Sequence, residues 1–434
     1  MAIQEYKCPC CAGAIEFNST VGKMKCPYCD SEFEMDSLKE LDDVLANEIV
    51  DNMDWNTSAG EDFNDAEANG MSAYSCQSCG AQILTDKTTA ASSCPFCGNQ
   101  IIMMNNLAGA LKPDLLIPFK FNKEQAKEAL KKHFEGKKLL PSSFKDQNHI
   151  DEISGVYVPF WLFNSKASAD FRYKGIKEKR WSDDDYDYIE KSYYSVIRRG
   201  GLEFANVPCD ASQKMDDALM DSLEPYDYSQ AVDFQTAYLA GYLADKYDVT
   251  AEDSTERANN RIRRSTEIEF RKTVTGYDSV ETQNKNINLE NGTTRYAQLP
   301  MWILNTTWNN EKYVFGMNGQ TGKFVGNLPM DKGKFWKYFA IIGLIGAAIG
   351  GLGSFFLLDS GMGAVIGIAV VIGLLAGFIG TLSMRSELKS VRIADAAQNF
   401  IKQGSFKLND SRDIYMYRKV ERRAKPKPQQ DSQS

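Results

Sequence analysis

The sequence predicts a multidomain chain: two small β modules, an α+β domain with a duplicated strand unit, and an α-helical transmembrane hairpin. Three observations predict it. Four Cys-x2-Cys pairs fall into two sets of equal spacing, and two long apolar stretches stand side by side near the C-terminus. Between them, the hydrophobic pattern alternates between strand and helix periods. The 434 residues divide accordingly into a first cysteine module (1–36), an acidic linker (37–73), a second cysteine module (74–106), a cytoplasmic α+β domain (107–331), a two-helix hairpin (332–390) and a basic cytoplasmic tail (391–434).

The cysteine sets are copies. Cys8-x2-Cys11 is followed after fourteen residues by Cys26-x2-Cys29, and Cys76-x2-Cys79 after fourteen residues by Cys94-x2-Cys97. Each ligand position in the second set lies 68 residues after its counterpart. Four thiolates on two such knuckles close tetrahedrally on one Zn²⁺, leaving no position open for a substrate water. Two Zn²⁺ per chain and two β zinc ribbons are therefore expected, with Cys8, Cys11, Cys26 and Cys29 holding one ion and Cys76, Cys79, Cys94 and Cys97 the other. A module of about thirty residues is too small to fold by burial alone, so the metal supplies the folding free energy. Cys10 sits inside the first knuckle and could compete as a ligand, but the repeat register favours Cys8 and Cys11. Cys209 stands alone and reads as a buried apolar residue.

The acidic linker carries eleven Asp or Glu against one lysine from Asp36 to Met71. Leu38, Leu41, Val44, Leu45 and Ile49 suggest a short amphipathic helix, and the remainder reads as solvated chain. In the α+β domain, Asn122 caps a helix running to Glu135, and Gly136 ends it. Val156 to Phe163 and Leu299 to Asn305 share a Pro-x-Trp-aliphatic-x-Asn pattern, hence the duplicated strand unit. Their prolines suggest edge or first-residue positions. Lys312 to Gly319 continues the second copy into an Asn318-Gly319 turn. Thr250 and Asp253 open a polar helix to about Lys272, whose Arg257, Arg261, Arg263 and Arg264 read as a solvated face among acids.

Trp336 to Leu358 and Gly361 to Met384 are apolar, separated by Asp359-Ser360, with Lys337 the only charge in either. Each is long enough to span a bilayer. Lys332, Lys334 and Lys337 flank the first span and Arg385, Lys389 and Arg392 follow the second, which places both termini in the cytoplasm. The N-terminus has no apolar core of signal-peptide type, and thiolate sites fit a reducing compartment. Gly346, Gly350 and Ser354 on one span, with Ala369, Gly373, Gly377 and Thr381 on the other, form small-residue faces for hairpin packing or for homo- or hetero-oligomerisation. Beyond the spans, 386–404 reads as a short helix. From Arg385 onward there are twelve Lys or Arg against six acids. Ile414 to Tyr417 reads as a strand leading into the cluster from Arg418 to Lys427, which is either a solvated tail that enforces topology or, the favoured reading, a patch resting on the anionic leaflet.

No catalytic constellation emerges, so the chain is not expected to be an enzyme. His133 and His149 lie apart from acids and cysteines. Gly319 to Lys323 lacks P-loop spacing, and Asp183 to Asp187 lacks the glycine and glutamate of a calcium loop. The formal charge of −8, with neither cysteine module basic, makes nucleic acid an unfavoured partner.

The duplicated ribbons, the Pro159-Phe160-Trp161 strand, the segment Tyr238 to Tyr247 and the turn Asn318 to Lys323 together carry a resemblance over nearly the whole length. The chain resembles bacterial membrane proteins with transcription-factor-IIB-type zinc ribbons, often mislabelled as primosomal helicase-like. The resemblance implies association with phage-shock-type envelope-stress proteins and help in localising a soluble zinc-ribbon partner at the membrane. The expected function is a membrane-anchored adaptor or scaffold that recruits cytosolic proteins to the bilayer. The alternative is a membrane-tethered zinc-ribbon nucleic-acid binder.

Overall fold

In the computed structural model, residues 6–89, 91, 93–104, 111–147, 153–357, 362–393 and 395–425 are described. The first cysteine module is a three-stranded antiparallel sheet of β1 (Glu16–Asn18), β2 (Lys23–Lys25) and β3 (Glu32–Phe33). Helix α1 (Met35–Ala46) follows and buries Leu38, Leu41 and Val44, leaving Leu45 exposed and Ile49 beyond its end.

The acidic segment is not a free linker. Asn52 donates its N–H to the Ile287 carbonyl (3.0 Å), the Leu289 N–H returns to the Asn52 carbonyl (2.8 Å), and Asn56 bonds Gly292 (2.9 Å). Trp55 packs edge-on against Phe163 and donates from Nε1 to Asn259 Oδ1 at 2.7 Å. Its acids also find partners, as where Asp51 pairs with Arg263 at 3.0 Å. The segment is a strap along a sheet edge, and its aromatic and amide residues decide this over net charge.

Short elements follow: β4 (Glu61–Asp62), α2 (Asp65–Asn69), β5 (Met71–Ser75), β6 (Gln82–Asp86), β7 (Ile102–Met104), β8 (Leu111–Lys112), β9 (Leu115–Leu116), α3 (Lys123–Phe134) and α4 (Ser142–Gln147). Asn122 caps α3 in a capping box with Gln125, and Gly136 takes the left-handed conformation just past its end.

Three very long strands build the body: β10 (Ser154–Ser182), β11 (Tyr186–Asp210) and β14 (Ser279–Trp308). Between β11 and β14 come α5 (Asp217–Leu223), β12 (Val232–Asp233), β13 (Leu243–Asp245) and α6 (Ala251–Lys272). After β14 come β15 (Glu311–Asn318) and β16 (Phe324–Val325). The strand unit is duplicated in space as well, because its two copies pair antiparallel, with Val158 opposite Leu299.

The prolines are not at edges. On β10 the neighbour changes from β13 (at Val156 and Tyr157) to β11 (from Phe160), and Pro159 occupies the switch. On β14 it changes from β9 (at Ala297 and Gln298) to β15 (from Met301), and Pro300 occupies that switch. A missing N–H costs no ladder bond at such a branch point.

Helix α6 covers one face of the long strands, burying Ala258, Ile262 and Phe270 against Phe171, Tyr173 and Val196. The expectation of a solvated arginine face on α6 fails for two residues. Arg261 is 2% exposed and bidentate to Glu224 (2.6 and 2.9 Å), while Arg257 reaches Asp210 and Asp221. The acids that pair with them come from β11, α5 and Glu224 just past α5, none of them on α6 itself.

Helices α7 (Lys332–Leu357) and α8 (Met362–Ser386) are both long and apolar enough to cross a membrane. The Asp359-Ser360 connection lies outside the described residues. The small-residue faces meet each other within the hairpin: a Cβ on Gly373 would stand 2.7 Å from the Gly343 carbonyl, and one on Gly346 2.6 Å from the Ala376 Cβ.

No helix spans 386–404. Apart from a 3-10 turn at Gln398–Phe400, the described part of that segment runs back over the body, with the Ala397 N–H bonded to Ser265 Oγ at 2.6 Å. Strand β17 (Lys407–Ala424) then pairs with β11 almost to its far end, Ala424 opposite Tyr186. The basic tail is thus a sheet strand as far as Ala424; Lys427 lies outside the described residues.

Candidate metal centres

All four knuckles are the same turn. In each, the residue four positions after the first cysteine donates its N–H to that cysteine's carbonyl: Ala12 to Cys8 (2.8 Å), Asp30 to Cys26 (3.0 Å), Gly80 to Cys76 (2.9 Å) and Gly98 to Cys94 (2.9 Å). These four residues all have positive φ, between 55° and 76°. Glycine adopts this conformation freely; Ala12 and Asp30 pay a steric cost that the second set avoids.

The turns bring the predicted thiols together in two groups of four. Within each group all sulfurs lie within 4.8 Å of one another. Cys8–Cys29 and Cys11–Cys26 are 3.6 and 3.5 Å apart, and Cys76–Cys97 and Cys79–Cys94 are 3.5 and 3.6 Å. These separations are far too long for a disulfide of about 2.05 Å. A tetrahedron with metal–sulfur bonds of about 2.3 Å has edges near 3.8 Å, so the spacing fits one metal ion per group.

Cys10 stays outside the first group. Its thiol is exposed, and its backbone N–H points to Cys8 Sγ at 3.4 Å, the usual service of a knuckle amide to a thiolate. In the second group Asn99 Nδ2 approaches Cys97 Sγ at 3.4 Å. Cys209 is buried in the core, and desolvation pushes its thiol up to about 12, so it stays protonated and inert.

The two groups are seated differently. The first packs Phe33 edge-on against Tyr417 of β17 (5.6 Å) within a cluster that includes Ile197, Ile414 and Met416. The second is built into the main sheet: β5, β6 and β7 form its rim, and β6 pairs with β13 at Ala244–Leu84 and Asp245–Ile83. Hence 74–106 is not a free-standing module. At the knuckle tips Tyr28 is exposed and folds over Gly13, whereas Phe96 is tucked beneath Lys214. Asn305, from the duplicated strand motif, holds the Pro95 carbonyl.

The remaining motifs resolve into structure. Asn318 closes the Gly319–Lys323 turn through its Oδ1 on the Gln320 and Thr321 amides. Asp183 accepts from the Asp185 and Tyr186 amides in the β10–β11 turn. His133 lies against Phe324 and meets the Gly326 carbonyl, and burial lowers its pKa; His149 lies outside the described residues.

Three features lacked a local signal. One is the buried ion cluster of α6. Another is the stacking of Phe119 on Tyr242 (4.1 Å) beneath Trp302. The third is a cavity of about 700 Å³ between the first cysteine module, α1 and the long strands, with Leu41, Arg172, Ser195 and Tyr417 among its walls.

No family model matches the chain, and no solved structure matches it. YdjG, an uncharacterized protein of Bacillus subtilis (strain 168), is 34% identical over 338 residues, which are 78% of this chain and 94% of YdjG. Those residues exceed the length of any single module, so the likeness spans cysteine sets or helices together with the sheet body, and the chain belongs to the family of YdjG.

Proposed function

We propose that this protein is a membrane-anchored adaptor, whose cytoplasmic body recruits cytosolic proteins to the bilayer. Each four-cysteine group holds a structural Zn²⁺ in a zinc-ribbon fold, and α7 and α8 cross the membrane as a hairpin with both termini in the cytoplasm. The observation that carries this reading is the pairing of closed thiolate sites with two lipid-type helices on one sheet body. Four sulfurs at tetrahedral spacing leave no coordination position for chemistry, so such a site stabilises a surface rather than a transition state.

The cationic flanks of the hairpin support the orientation. Phage-shock-type or zinc-ribbon proteins of the cytosol are the partners to seek first. Crosslinked co-purification from membranes, followed by mass spectrometry, tests the reading. A defined cytosolic partner should be recovered, and its yield should fall when Cys26 and Cys29 are replaced by serine. Release of the chain from membranes by alkaline carbonate, or recovery of no partner at all, would contradict it.

A further inference from the structure

Beyond Gly175 and Ile176, where β14 ends its pairing, the sheet continues as a three-stranded arm of β10, β11 and β17. About 70 Å of strand separates its tip at Trp181 from Phe160 in the body. Opposed residues share a face, so the register sorts the arm's side chains. One face carries Lys177, Lys179, Trp181, Tyr188, Arg418 and Arg422; its one carboxylate among the paired positions is Glu190, 3.6 Å from Arg418. The opposite face mixes Glu178, Arg180, Asp187, Lys191, Lys419, Glu421 and Arg423, nearly balanced in sign. The chain as a whole is acidic, with a formal charge of −8, yet this exposed face carries four cations against two carboxylates, Glu190 and, in the tip turn, Asp183, which accepts from the Tyr188 hydroxyl at 2.8 Å.

Nearer the body, α6 covers this face; at the tip nothing among the described residues does. Trp181 is 40% exposed. It stacks on Tyr188 with ring centroids 5.3 Å apart, and Lys179 stands 5.9 Å from its centroid; Arg422 lies over Tyr186 at 5.1 Å. With its rings turned against one another and against cations, the face offers few open ring surfaces for base stacking, the main device of single-strand nucleic-acid binding. Amphipathic rings among lysines and arginines instead match the headgroup layer of an anionic bilayer.

We infer that this aromatic and cationic face of the arm tip docks on an anionic phospholipid surface. The inference deepens the membrane-anchored reading and rests on it. It also relocates the basic cluster of β17, which acts from a rigid sheet together with β10 and β11 rather than from a loose tail.

The test uses the full chain in nanodiscs of phosphatidylcholine, mixed with vesicles of phosphatidylcholine alone or with phosphatidylglycerol, and read by flotation. Insertion into nanodiscs, read by size-exclusion, judges the anchoring; flotation judges the tip. The unaltered chain should float with the anionic vesicles and release as salt screens the charges. Replacing Lys177, Lys179, Arg418 and Arg422 by glutamate should weaken binding by at least about a hundredfold, at about fivefold per charge. A variant of the opposite face (Arg180→Glu, Lys191→Glu, Arg423→Glu) should change it only by a few-fold, which separates the face from net charge. Equal flotation with neutral vesicles, no flotation with either, or equal losses from both faces would overturn the inference. So would tighter binding to fluorescent oligothymidylate than to anionic vesicles.

Discussion

The two cysteine modules share spacing, turn and sulfur geometry, yet one is an attachment and the other a part of the sheet. The first keeps its own three strands and leans on β17 through Phe33 and Tyr417. The second lends β6 to β13 and so joins the body. The knuckles are local constructions, set by cysteines and one left-handed residue each. Where the module docks is set by its own strands: β3 carries Phe33 to Tyr417, and β6, between the two knuckles, pairs with β13. A four-thiol group can therefore be duplicated with the same sulfur geometry while its mechanical coupling to the protein is altered.

Metal removal breaks this comparison most directly. Cys94→Ser with Cys97→Ser should remove one metal and also open β6 and β13, seen as faster amide exchange at Leu243–Asp245. Cys26→Ser with Cys29→Ser should remove one metal and unfold only the first module. Each lost site forfeits metal binding on the order of 10–16 kcal/mol. Equal exchange at Leu243–Asp245 in both variants would show that the docking difference has no mechanical meaning.

The next effect concerns the body that receives the second module. Arg261→Ala leaves Glu224 buried without its partner and should cost about 3–5 kcal/mol in chemical denaturation. Burial raises the Glu224 pKa from 4.5 to about 7, against the opposing pull of Arg261. In that window the folded carboxyl holds a proton that the unfolded one has lost, so stability should fall as pH rises from about 4.5 to 7. Glu224→Gln should flatten that slope; an unchanged slope would remove Glu224 from the account.

Smaller effects sharpen the picture of the first module and its strap. Trp55→Ala removes the Asn259 bond and the Phe163 contact, and should cost about 1–2 kcal/mol while exposing 47–60 to limited proteolysis. Ala12→Gly and Asp30→Gly relieve left-handed strain, and each should tighten metal retention by roughly 1 kcal/mol in chelator competition. Cys10→Ser should leave metal content unchanged.

What the sequence disclosed was local. The eight cysteines, the two apolar helices, the Asn122 and Thr250 caps and the Asn318 turn each announce themselves within a few residues. What it hid depends on partners far along the chain. Trp55 finds Asn259 and Arg422 lies opposite Tyr188, each more than two hundred residues away, while Arg261 finds Glu224, 37 residues back and outside its own helix. Composition therefore made a strap look like a linker, and it made the run beyond the strand foreseen at Ile414 to Tyr417 look like a tail, although β17 carries the pairing on to Ala424. The proline rule failed for a related reason: a branched sheet has interior gaps in its ladders, which edge-strand logic does not anticipate.

Metal content of the intact chain tests the central claim most directly. Elemental analysis of the full-length protein, purified without added metal, should find two zinc ions per chain, falling to one in the Cys26→Ser, Cys29→Ser variant and to one in the Cys94→Ser, Cys97→Ser variant. One ion or none in the unaltered chain, or a metal other than zinc, would contradict the account.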